Sequence, residues 1–160
     1  MRAEVERLKL ENMADYDKLK EQEAIEERYQ ESQSRFEAVF YQSALGQKII
    51  TQNLKITQVN EALQQMMGYS EAVLIGSRIT EFTHPDFLHK WQELQTKLWE
   101  EKISGFQLEN CLVKKDGTSL WCQVTSILFA DQGSFLGFTI LEDIDARKIL
   151  EKELKTLYDN

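Results

Sequence analysis

Along the first forty positions Ile25, Tyr29, Ser32, Phe36 and Val39 follow alternating steps of four and three, the spacing of a coiled-coil seam. Upstream, Val5, Leu8, Asn12 and Leu19 keep a similar spacing, but the two registers join only through a slip between Leu19 and Ile25. A stutter or a frayed start is expected there. Residues 1–40 contain no Gly and no Pro, so one long helix is predicted. From Gly46 onward the elements shorten. Residues 48–51 and 55–59 read as two strands of a hairpin joined near Asn53. Asn60 is placed to cap a short helix. Gly68 ends that helix, Ser70 caps the next and Gly76 closes it. Leu88, Trp91, Leu94 and Leu98 form the apolar stripe of a helix from about 86 to 101. Three more strands follow, at 105–113, 118–130 and 135–141. Ile149, Leu150, Leu154 and Leu157 then renew a helical seam.

Two details of the strand region carry geometric consequences. Asp116 and Gly117 supply the positive φ values of a two-residue hairpin turn. With such a turn Cys111 and Cys122 stand directly opposite each other, within disulfide reach. The plainer alternative is a pair of buried thiols acting as small hydrophobes. The last strand, 135–141, is apolar with almost no alternation, so cover is expected on both of its faces. Phe36, Val39 and Phe40, at the base of the long helix, are the residues expected on its outer side.

Composition narrows the functional classes. A chain of 160 residues with 42% hydrophobic content supports one small core and an extension. The net charge of −8 divides into −4 over residues 1–40 and −4 over the remainder. It leaves no basic footprint for nucleic acid, and no stretch is apolar enough to span a bilayer. Two cysteines without a secretory signal point to a reducing, cytoplasmic compartment, although a parent protein could be membrane-anchored. Phosphate loops, zinc-spaced ligands and nucleophile motifs are missing. No catalytic residue or metal site is expected.

Five segments in order, Gly68-Tyr69-Ser70 with Leu74 and Gly76, His84-Pro85-Asp86, Lys115-Asp116-Gly117, Gly137-Phe138 and Asp143-Ile144-Asp145, resemble the PAS domain, a sensory module of signalling proteins. The last stands where that family usually carries Asp-Ile-Thr. The resemblance spans about residues 33–145 and implies an α+β fold, a five-stranded antiparallel sheet with helices over one face. Around it the chain divides into a coiled-coil helix at 1–40, the domain at 41–145 and the start of a signalling helix at 146–160.

The resemblance also implies what the chain does. Such domains relay a change in their core to paired helices, so the expected role is a dimeric relay in a bacterial multidomain protein, with a sensor histidine kinase the commonest parent. A homodimer would bury Ile25, Tyr29, Phe36, Val39 and Phe40. Asp145 is placed to cap the outgoing helix, with Asp143 as a hydrogen-bonding anchor and Arg147 as its partner. The alternative is a ligand-binding sensor controlling a cyclase, phosphodiesterase or chemoreceptor. A ligand held between sheet and central helix would meet Met67, Leu74, Trp91, Leu94, Leu98, Cys122, Val124 and Ile140. His89, on the central helix, is the position offered for a haem ligand, against the simpler view of a surface histidine. The flavin photochemical signature Asn-Cys-Arg-Phe is missing, Ser77-Arg78-Ile79-Thr80 occupying its neighbourhood. No resident cofactor is the favoured expectation.

Overall fold

The computed structural model describes residues 1–159. With no helix breaker before residue 41, the chain forms a single helix, α1 (Arg2–Tyr41). Its residues up to Val39 are a unit of their own, and the sheet domain begins at Phe40. Within α1, Ile25, Tyr29, Phe36 and Val39 are exposed. Phe40 is fully buried, as part of the sheet domain. Its expected place in a dimer seam is therefore corrected.

The domain then runs β1 (Gly46–Ile50), β2 (Ile56–Val59), α2 (Glu61–Met67), α3 (Glu71–Leu74), a 3-10 turn (Ile79–Phe82), α4 (Pro85–Glu100), β3 (Phe106–Val113), β4 (Ser119–Asp131), β5 (Ser134–Asp143) and α5 (Asp145–Asp159). The strands form one antiparallel sheet in the order β2-β1-β5-β4-β3. One buried cluster joins α2, α3 and α4 to the inner face of the sheet. Asn60 caps α2 by accepting from the Leu63 amide at 3.0 Å, and Gly68 ends that helix at φ 78°, where a side chain would be strained. Ser70 makes no side-chain capping bond to α3. His84, just before α4, accepts from the Asp86 amide through Nδ1 at 3.2 Å.

The β3–β4 hairpin departs from the two-residue turn. Lys114 N–H donates to the Thr118 carbonyl, and Gly117 N–H to the Lys114 carbonyl, both at 2.9 Å. Gly117 has φ 85°. This is a three-residue loop, a type I turn followed by a left-handed residue. One extra residue shifts the ladder by one, so Cys111 faces Trp121 and Cys122 faces Asn110. Since neighbours along a strand point to opposite faces, the two thiols lie on opposite sides of the sheet.

Along β5 the apolar run conceals an alternation. Gly137, Thr139 and Leu141 are buried toward the helices, while Leu136, Phe138 and Ile140 are half-buried on the other face. That face is partly covered by Phe40, whose ring centroid lies 6.3 Å from that of Phe138. Along α4 the buried stripe is Trp91, Gln95, Leu98 and Trp99. The expected Leu88 and Leu94 are half-buried flanks.

Candidate functional site

Met67, Leu74, Trp91, Leu98, Cys122 and Val124 all belong to the main buried cluster, so six of the eight expected ligand-lining residues do meet between sheet and helices. Ile140 does not: its place in the strand turns it to the outer face, and Leu141 takes the inner position. Leu94 sits at the edge, half-buried. His89 is exposed, whereas the inward face of the same helix carries Trp91 and Gln95. The residues present do not fit a haem. Among the described residues no group of three or more His, Cys, Asp or Glu could hold a metal ion.

The same interior carries polar groups that the sequence alone did not single out. Lys48 is 5% exposed, and its Nζ lies 5.8 Å from the centroid of the Trp91 ring. Burial pulls its pKa down to about 8, an effect that Cys122 partly opposes. Burial likewise pushes the Cys122 thiol up to about 12, which leaves it protonated and unreactive. Ser126 and Thr139 hydrogen-bond to each other at 3.0 Å. Trp99 Nε1 donates to Gln95 Oε1 at 3.1 Å. Since an indole only donates, this fixes which end of the carboxamide is oxygen. Trp91 Nε1, Gln95 Nε2 and both polar atoms of Asn110 are buried without a hydrogen-bond partner. An open groove of about 450 Å³ runs between α4 and the β1–β2 turn, with Gln52, Leu54, Gln95 and Trp99 in its walls.

The incoming junction is organised by Asn60, which is fully buried. Its Nδ2 donates to the carbonyls of Phe40 and Leu45, each at 2.8 Å. Its Oδ1 accepts from the Gln47 amide at 2.9 Å and the Leu63 amide at 3.0 Å. One side chain thus satisfies the end of α1, the start of β1 and the start of α2. The cap to Leu63 is legible from the position of an Asn before a helix, but the other three partners are distant in sequence.

At the outgoing junction the two aspartates exchange the roles expected of them. Asp145 Oδ1 accepts from the Trp121 amide at 2.9 Å, and the Ile144 amide donates back to the Trp121 carbonyl at 2.9 Å. Asp145 is therefore the tie to the sheet. Asp143 Oδ1 accepts from the Asp145 amide at 2.9 Å and so serves the helix start. Arg147 pairs instead with Glu109, at 2.7 Å, and Lys148 also reaches Glu109. The bond from Lys148 holds the Glu109 carboxyl below the usual carboxylate range, helped by Arg147. Lys148 Nζ also lies 5.0 Å from the Trp121 ring centroid. Asp145→Ala removes a charge-assisted bond and is expected to leave a folded domain about 2 kcal/mol less stable in urea. A loss under about 0.5 kcal/mol would show that the tie carries no energy of its own.

A family model described as a PAS domain matches residues 46–146. The chain is 28% identical over 124 residues to the Probable diguanylate cyclase DgcE of Escherichia coli (strain K12), covering 76% of this chain and 11% of that protein. It is 23% identical over 129 residues to the Sensor histidine kinase TmoS of Ectopseudomonas mendocina, covering 79% of this chain and 13% of that one. The chain thus spans little more than a tenth of the curated relatives it matches. Among solved structures, the PAS domain of an HTR-like protein from Haloarcula marismortui superposes with a TM-score of 0.63 at 25% identity, covering 76% of this chain and 99% of that one. A PAS domain from Colwellia psychrerythraea gives 0.62 at 17% identity, covering 69% of this chain and 95% of that one.

Proposed function

Because this chain belongs to the PAS domain family, we propose that it is a relay module, working as a homodimer and passing a change in the domain from the incoming helix to the outgoing one. The observation that carries this reading is the pair of side-chain ties at the two junctions. Asn60 holds the carbonyl of Phe40, at the end of α1, and Asp145 holds the amide of Trp121, in the sheet. Each tie fixes a helix end to the strands or to a neighbouring helix by hydrogen bonds that a small change in packing can make or break.

Parallel pairing of α1 supplies the dimer, through Ile25, Tyr29, Phe36 and Val39. Four exposed apolar side chains at coiled-coil spacing support it. Phe36→Glu is expected to shift the chain from dimer to monomer at tens of micromolar in light scattering, since a charge would enter the seam. A wild-type monomer at that concentration would end the dimer proposal.

The output lies in a longer parent protein. A sensor histidine kinase parent rests on the similarity to one such kinase, and a cyclase parent on the higher identity to DgcE. None of the described helices is long and apolar enough to cross a membrane, which suits a domain working on the cytoplasmic side. Fusing the domain to its native output and measuring that output with Asp145→Ala tests the relay. Unchanged regulation with an intact fold would remove Asp145 from it.

A further inference from the structure

The central helix and the outgoing helix both touch one side chain, that of Trp121. Its neighbours Leu120 and Cys122 belong to the main buried cluster, so Trp121 itself points to the opposite, outer face of the sheet. There it is half-buried. From one side comes the start of α4. The His84 amide donates to the Cys111 carbonyl at 2.9 Å, and Thr83 forms an isolated bridge with Leu112, which sets the first turn of α4 beside the edge strand β3. Cys111 is the strand partner of Trp121. From this position Phe87 reaches the indole, with ring centroids 5.0 Å apart and planes at 76°, an edge-to-face contact. The other neighbour of Phe87 is the His84 ring, at 5.9 Å.

From the other side comes α5. Lys148 Nζ lies 5.0 Å from the indole centroid, within cation–π range, and the same amine pairs with Glu109 on β3. The backbone of Trp121 holds the start of the helix as well, its amide donating to Asp145 and its carbonyl accepting from the Ile144 amide. Past that tie α5 buries no residue, so its seat on the sheet rests on the charged contacts of Arg147 and Lys148. Exposed contacts of this kind are weak one by one. A small movement of the indole is therefore enough to tip the seat.

We propose that Trp121 couples the first turn of α4 to the seating of α5. When the start of α4 shifts, Phe87 presses or releases the edge of the indole, the ring turns, and Lys148 loses the face it lies against. The backbone tie through Asp145 stays in place, so α5 swings about its own start while the domain remains folded. Trp121 is in this sense a positioning residue that acts on α5 through Lys148. The assignment deepens the relay reading of the domain and rests on it.

Amide exchange and fluorine NMR of the full chain labelled with 5-fluorotryptophan test the coupling, Trp121→Phe identifying the Trp121 line. Phe87→Leu keeps an apolar side chain and removes the ring edge. It is expected to move that line and to quicken exchange at residues 148–152 about fivefold, with β1 and β2 unchanged. In a Trp121→Leu background the same substitution should leave the exchange of α5 as it is. Lys148→Met should quicken exchange as Phe87→Leu does, the double variant should do no more than either alone, and Lys148→Arg should keep the wild-type rate. An equal quickening of all amides would show a general loss of stability and overturn the coupling. Additive effects in the double variant would overturn it too, as would an unmoved line in Phe87→Leu. If Trp121→Leu does not fold, the cycle between Phe87 and Lys148 decides alone. Fusion to the native output keeps the two readings apart. Regulation changed by Asp145→Ala but not by Phe87→Leu upholds the relay and overturns the route through Trp121, whereas coupled exchange with an output that neither variant moves upholds the coupling and overturns the relay.

Discussion

Stability of the domain is expected to rise between about pH 8 and 9, stay level to about 10.5, and fall beyond it. The three regimes follow from two buried groups whose shifts oppose each other. Lys48 goes from 10.5 when unfolded to about 8 when folded. Between those values the unfolded chain holds a proton that the folded one lacks, so stability climbs with pH. Cys122 goes from 9.0 to about 12. From 9.0 upward the folded chain holds the extra proton, and stability falls. Where the windows overlap, the two slopes of about 1.4 kcal/mol per pH unit cancel. Urea unfolding at a series of pH values reads this directly. Lys48→Met should lose the rise and, free of a buried charge at neutral pH, gain about 3 kcal/mol. Cys122→Ala should lose the fall at high pH. A wild-type profile flat from pH 7 to 9 would mean that the Lys48 amine is solvated in the folded state.

The second large effect is expected at Asn60. Its side chain makes four hydrogen bonds to four backbone groups, and no water can replace them at a fully buried site. Asn60→Leu should cost about 4 kcal/mol, since each orphaned buried group is worth about 1–3 kcal/mol. Asn60→Asp separates the two halves of the role. It keeps the acceptor for Gln47 and Leu63 but sets a carboxylate oxygen against the Phe40 and Leu45 carbonyls. Amide exchange should then quicken first at residues 41–46, where the end of α1 is released. A loss below about 1 kcal/mol in Asn60→Leu would show that the backbone finds other partners.

The order and type of the elements were legible because each is written locally. A helix without breakers, an Asn before a helix and an Asp-Gly before a strand all act on their own neighbours. Face and partner were harder. In 135–141 every residue is apolar or small, so the strand period has nothing to mark it, and Ile140 was placed inside where Leu141 stands. Asp143 and Asp145 are two residues apart with the same side chain, and only the position of the Trp121 amide decides which one reaches the sheet. Lys48 reads as a solvent-facing strand residue until its parity with Gly46 and Ile50 is known. That parity, with the buried positions of the neighbouring strands, puts the amine under Trp91. The position of Gln95 was obscured by Leu94 beside it, the more apolar of the two and the one the helical stripe selects.

The length of the β3–β4 loop has a consequence for life in an oxidising burst. Because three residues rather than two close the hairpin, the sheet itself stands between the two sulfurs. A bond between Cys111 and Cys122 would need one strand to slip by a residue and turn its whole inner row outward. Oxidants that cross-link nearby thiols elsewhere in a cell would find here no second sulfur within reach. The pairing of strands β3 and β4 thus stays free of an internal cross-link while the redox state around the domain changes.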